Sequence, residues 1–164
     1  MILSTHAVVG AAIATLLPRD PVLVFAASVA SHFVIDAIPH WDYPLRGIRV
    51  GRSQTGAIRL NRALFRDVGL IGLDACAGLA LAILLFGQSA PLWVILLAAF
   101  AAMLPDPLQV VHRLYPHEPL RTLQRFHEWM HTDTKLGWRI GVGSQIAFSG
   151  AVVMLADMLQ QLSA

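Results

Sequence analysis

The apolar positions of this chain gather into long runs at about 2–17, 21–38, 67–87, 91–104 and 137–162, separated by polar stretches that carry proline, glycine or charge. Each run predicts a helix. A helix needs roughly 20 apolar residues to cross a bilayer. The first, second and fourth runs fall short of that, and would have to tilt little, thin the bilayer or extend into their flanks. Pro18-Arg19-Asp20-Pro21 predicts a tight turn between the first two runs, and Gly87-Gln88-Ser89-Ala90-Pro91 another between the third and fourth. The connections at about 39–66 and 105–136 are long and polar. The expected fold is an all-α, polytopic integral membrane helical bundle, a single domain over residues 1–164 with about five spans. One or two short interfacial helices are expected in the second long connection, between Glu118 and Thr134.

Composition turns that pattern into a membrane assignment. The chain is 56% hydrophobic and 13% charged, against roughly 25% charged residues in a soluble domain. Cys76 is the one cysteine, which excludes an intramolecular disulfide and a cysteine-rich zinc site. The first run has no basic start, carries His6 and ends at Pro18 without a small-residue cleavage site, so a removed signal peptide is not expected.

The basic residues are unevenly placed. Arg46, Arg49, Arg52, Arg59, Arg62 and Arg66 lie in or beside the first long connection, and Arg113, Arg121, Arg125, Lys135 and Arg139 in or beside the second. Only Arg19 falls on the opposite side. The positive-inside rule then puts both connections and the N-terminus on the cytoplasmic face of a bacterial-type inner membrane. The expected partners are membrane lipids, with anionic headgroups at the arginine-rich loop rather than nucleic acid. A protein partner or a second copy of the chain stays open.

The chemistry sits on the same side. His32, Asp36 and His40 are four residues apart, and on a helix they form one stripe, with Asp42 just beyond. Ionisable groups in an apolar helix are costly unless they pair or bind a metal. Imidazole and carboxylate ligands suit zinc, manganese or iron. The alternative is an interhelical hydrogen-bond network, or an Asp36–arginine pair without metal. His127-Glu128-Trp129-Met130-His131 matches HExxH, in which two histidines one turn apart hold zinc and the glutamate is a general base. Alternatively, the pair joins the second-helix residues and Glu128 faces solvent.

His6 at the first helix start is a further candidate ligand. Asp106, after Leu104-Pro105, is either a ligand or a helix-terminal turn residue. Arg113 is placed to steady an anionic substrate or to anchor at headgroups. His117, in Pro116-His117-Glu118-Pro119, reads as an exposed loop residue. Asp74, deep in the third run, needs a partner, either the polar site or an arginine, while Asp67 is expected at the interface.

Ser4-Thr5-His6 opening an Ala/Gly-rich run, a proline–aspartate helix end at Pro105-Asp106, and His112-Arg113 beyond it resemble the LexA-regulated, inner-membrane metal-dependent hydrolases. There is a fainter similarity to zinc-dependent phospholipases C, which also build their sites from dispersed His and Asp. The resemblance implies that His6, Asp106 and His112 belong to the site. The chain departs from the pattern after His112-Arg113, where Leu114-Tyr115-Pro116-His117 stands.

Together these readings predict a metal-dependent hydrolase at the cytoplasmic membrane face, acting on a phosphorylated or acylated lipid. It would hold one or two divalent ions, zinc first. The expected ligands are His6, His32, Asp36, His40, Asp106, His127 and His131, with Glu128, Asp42 and Arg113 as the catalytic set. The alternatives are an HExxH-type intramembrane metalloprotease, or a non-enzymatic accessory subunit or metal/proton carrier.

Overall fold

A computed structural model of the chain describes residues 1–17, 20–50 and 56–163. Arg19 with its turn neighbour Pro18, and Arg52 of the arginine-rich loop, lie outside the described residues. The described residues form helices α1 (Leu3–Leu16), α2 (Pro21–Asp36), α3 (Arg62–Phe86), α4 (Leu92–Met103), α5 (Pro105–Leu114), α6 (Leu120–Met130) and α7 (Trp138–Ser163). Among them there is no strand, so the all-α expectation holds.

The first helix is the hub. α1 packs against α2, α3, α4 and α7 and is buried on almost every side, so protein rather than lipid surrounds it. Its small residues make this possible. An added Cβ at Gly10 would stand 2.4 Å from the Ala98 carbonyl oxygen of α4, and one at Gly78 of α3 would stand 2.6 Å from Ser4 Cα. Ala7, Ala11, Val24, Ile95 and Ala98 fill the core between these helices.

The start of α1 is buried, and Ile2 provides no side-chain cap. The first amides of a helix have no partner within it, and here three other segments supply one. Ile2 N–H donates to Gln145 Oε1 of α7, Leu3 N–H to the Tyr43 hydroxyl oxygen and Ser4 N–H to Asp74 Oδ2 of α3, each at 3.0 Å. Asp74 thus finds its partners in the α1 N-terminus and the Tyr43 hydroxyl, rather than in an arginine. An acid at a helix N-terminus is favoured by the helix dipole.

Of the five expected spans, the helices support two or three. Two helices, α3 and α7, are long and apolar enough to cross a membrane, and α4 with α5, bent by 49° at their junction, would make a third. α1 and α2 have only 14 and 16 residues. In α2 the stops are visible: Asp20 Oδ1 accepts from Val22 and Leu23 N–H to start it, Pro21 occupies its first position, and Pro39 bars continuation.

The second connection also differs, because a helix begins at once at Pro105. Proline is suited to a first helical position, and Asp106 in the first turn with His112 and Arg113 in the last complement the dipole. α6 falls inside the expected 118–134 segment. Asp67, near the start of α3, is fully buried within the protein. Its Oδ2 accepts the amides of Arg46, Gly47 and Ile48 at 2.8, 2.6 and 2.9 Å, which clamps the arginine-rich loop to α3.

Gly10→Ala should destabilise the bundle by about 1–3 kcal/mol, because α1 and α4 must part to admit one methyl group. Gly143→Ala, where an added Cβ meets nothing within 4 Å, should leave stability unchanged or slightly raised. Thermal unfolding of both variants in detergent checks the pair.

Candidate metal centre

Two backbone hydrogen bonds bring the separate histidines together. Beyond α6 the chain runs alongside the end of α2: Thr132 N–H donates to the Asp36 carbonyl and Leu136 N–H to the His40 carbonyl, both at 2.9 Å. His40 and Lys135 form an isolated parallel bridge between them. These carbonyls are available because α2 ends ahead of Pro39. α6 also docks through Phe126, edge-on to Phe33 of α2 with ring centroids 4.8 Å apart. His127 and His131 are thereby delivered to the His32–Asp36–His40 stripe.

Asp36 is the centre of the result. Four imidazole Nε2 atoms surround its buried carboxylate: His6 at 3.3 Å and His40 at 4.0 Å from Oδ1, His32 at 3.2 Å and His127 at 3.5 Å from Oδ2. Asp106 Oδ1 approaches from α5, 3.6 Å from His32 Nε2 and 3.8 Å from His127 Nε2. Two sets of donor atoms can each converge on one ion: His32, Asp36, Asp106 and His127 in the first, and Asp36, His40 and His131 in the second. The atoms of each set lie within 4.8 Å of one another. His6 lies outside both sets, yet its ring stacks on His32 at 4.0 Å between centroids.

Hydrogen bonding at the far side of each ring decides what the near side offers. A carbonyl oxygen can only accept, so a ring nitrogen bonded to one must carry the proton. His32 Nδ1 donates to Ala102 O at 2.8 Å, His40 Nδ1 to Ile38 O at 2.7 Å and His131 Nδ1 to Thr132 O at 2.9 Å. In the neutral rings, Nε2 is therefore the bare nitrogen, which is how metal-binding histidines are commonly oriented. His6 Nε2, His32 Nε2 and Asp36 Oδ2 are buried and misaligned for hydrogen bonding with any described residue. Bare nitrogens turned toward a carboxylate repel it unless a cation stands between them. That chemistry fits a divalent ion.

The second set has its own electrostatics. The Met1 amino group lies 2.6 Å from Asp36 Oδ1, 2.8 Å from His40 Nε2 and 3.1 Å from Asp42 Oδ1. Asp42 Oδ2 also receives Lys135 Nζ at 2.9 Å. Burial opposes the charge on Asp42, but His40, the Met1 amino group and Lys135 outweigh it and hold the carboxyl well below the usual carboxylate range. Burial pushes the His131 imidazole below its ordinary value, only partly offset by Asp36, which favours the neutral, ligating form.

The remaining expected residues divide. Glu128 lines the cavity beside the cluster, together with Asp42, Asp106, His127 and His131; its Oε1 accepts from Gln124 Nε2 at 3.0 Å. The Arg113 guanidinium instead donates to the Arg49 carbonyl at 2.6 Å and the Gly56 carbonyl at 3.4 Å, so it ties the arginine-rich loop to α5. His112 is buried in α5 but belongs to neither ligand set. His117 is exposed, as expected.

Two residues were not foreseen. Gln109 Nε2 donates to Asp106 Oδ1 at 3.1 Å, and Gln124 Nε2 donates to Gln109 Oε1 at 3.2 Å, linking Asp106 to Glu128 through two amides. The available signal was spacing, since Gln124 lies on the His127–His131 stripe and Gln109 lies one turn from Asp106. Comparison with family models, curated proteins and solved structures finds no match to this chain.

Asp42, Asp106, His127, Glu128 and His131 line a cavity of about 1240 Å³ whose other walls are largely apolar, including Val68, Ile71 and Ala75 of α3 and Phe100 and Met103 of α4. Val68 of α3 and Phe100 of α4, both on its wall, are 53% and 55% exposed.

The hydroxyl of Tyr43 donates to Asp74 and accepts from Leu3 N–H. Burial and the neighbouring Asp74 keep this phenol protonated, well above its ordinary range. Tyr43→Phe should lower stability by about 1–2 kcal/mol, because a helix amide and a carboxylate each lose a partner. Metal content should be unaffected, and thermal unfolding beside elemental analysis separates the two effects.

Proposed function

We propose that this protein is a membrane-embedded metal-dependent hydrolase that cleaves a phosphorylated lipid. The observation that carries the reading is the His32/Asp36/Asp106/His127 set, two of whose members, Asp106 and His127, line a largely apolar cavity. The apolar walls suit a lipid tail. Arg49 and Lys135 on the cavity wall suit an anionic headgroup, which favours a phosphoryl over an acyl substrate. The resemblance to LexA-regulated inner-membrane hydrolases points the same way, and the positive-inside argument assigns the site to the cytoplasmic face.

A bound divalent ion, zinc first by its ligands, would polarise the phosphoryl oxygens and lower the pKa of a water. Glu128 would accept a proton from the attacking water as the new P–O bond forms, and would return it to the alkoxide released when the ester P–O bond breaks. Gln124 and Gln109 hold Glu128 and Asp106 in register.

The protease alternative requires His127 and His131 on one ion, whereas they fall in different ligand sets. The carrier alternative leaned on Asp74, which serves the α1 N-terminus.

The detergent-purified protein should contain zinc, manganese or iron by elemental mass spectrometry, and a His32→Ala/His127→Ala variant should lose it. Phosphate release from a phosphorylated diacylglycerol in mixed micelles should fall at least about 100-fold in Glu128→Gln while the metal stays. Fatty-acid release instead would redirect the proposal to acyl esters. No metal above background, even after reconstitution, would sink it.

A further inference from the structure

Asp36 belongs to both ligand sets, and it contributes them on opposite oxygens. Oδ2 faces His32 and His127, while Oδ1 faces His6 and His40. We infer that the centre holds two divalent ions bridged by Asp36. The first is held by His32, Asp106 and His127 with Asp36 Oδ2. The second is held by His40 and His131 with Asp36 Oδ1, and Asp42 stands beside it.

Three observations lead there. The His40 and His131 rings both carry their proton on Nδ1, bonded to the Ile38 and Thr132 carbonyls, so both Nε2 lone pairs are available to one ion. His6 Nε2 is fully buried, has no hydrogen-bond partner among the described residues and lies 3.3 Å from Asp36 Oδ1, on the side of the second set. Finally, the second position already attracts positive charge, since the Met1 amino nitrogen sits within 3.1 Å of Asp36 Oδ1, His40 Nε2 and Asp42 Oδ1. A divalent ion there would displace that amino group or take it as a further ligand. Two-metal centres for phosphoryl transfer place their ions about 3.5–4 Å apart, a separation that a bridging carboxylate spans.

The inference rests on the metal-dependent reading of the site and goes beyond it in number and bridging. The test uses the full-length protein in detergent, stripped with chelator and reloaded with Mn²⁺, followed by elemental analysis and electron paramagnetic resonance. Two equivalents and an exchange-coupled spectrum are expected. His131→Ala removes a half-buried side chain with little risk to folding. It should retain one equivalent and give the spectrum of an isolated Mn²⁺. Asp36→Asn should abolish the coupling, and its elution volume and helical circular dichroism show whether it has folded.

A single equivalent in the parent protein, unchanged by His131→Ala, overturns the second ion and leaves a mononuclear hydrolase. A single equivalent lost with His131→Ala but kept with His127→Ala also overturns the pair, since the ion then occupies the second position alone. No bound manganese and no zinc in the parent protein overturns the metal reading itself.

Discussion

A carboxylate buried among helices is the constraint on which the rest of this structure turns. Removing a charge from water costs several kcal/mol unless it is paired, and Asp36 is buried at the centre of the site. The groups around it are imidazoles, and three of those within the ligand sets have their protons committed to backbone carbonyls on the far side. In their neutral form they therefore present lone pairs where an imidazolium would present N–H groups. A site arranged this way is completed by cations, and the amino group of Met1 at Asp36 Oδ1 shows that demand directly.

The carbonyls that orient these rings come from broken helices. α4 ends at Met103 ahead of Pro105, and its unpaired carbonyl at Ala102 receives His32 Nδ1–H. α2 ends ahead of Pro39, and Ile38 receives His40 Nδ1–H while the Asp36 carbonyl receives Thr132 N–H. Proline thus does two things at once: it stops an apolar helix and leaves acceptors at its end. The same logic, inverted, operates at the start of α1, where orphan amides draw in Gln145, Tyr43 and Asp74. Between these polar contacts, Ala7, Ala11 and Ala98 pack as plain hydrocarbon in the core around α1.

Much of the site was legible in the sequence because its charged ligands stand out against an apolar background. The four-residue spacing of His32, Asp36 and His40 survives as a helical stripe, and the helix carrying His127 and His131 does meet it. What spacing could not convey was the return of the chain beside α2, which depends on backbone carbonyls that have no residue identity. Gln109, Gln124 and Gln145 were missed because neutral amides do not mark themselves in such a sequence. The carbonyl partners of Arg113, on Arg49 and Gly56, were not visible because they are distant in the chain. The helices long enough to span are fewer than the apolar runs for a related reason. Hydropathy measures apolar runs, whereas caps and prolines set helix length, and both shortened the first two helices.

The division between hub and wall bears on how an amphiphile would reach the centre. α1, short and enclosed, holds the site end of the bundle rigid, whereas α3 turns Phe65, Leu73 and Leu84 outward and Ile71 and Ala75 toward the cavity. One helix therefore separates an apolar exterior from an apolar interior, and Val68 lies on both. An amphiphile lying in the cavity would rest its tail on apolar side chains, with Arg49 and Lys135 on the same wall for its headgroup. A water-soluble phosphate would gain nothing from the apolar walls. For the proposed lipid, the apolar walls and the charged centre would thus act on different parts of the molecule, one through the solvation of the tail and the other through the charge of the head.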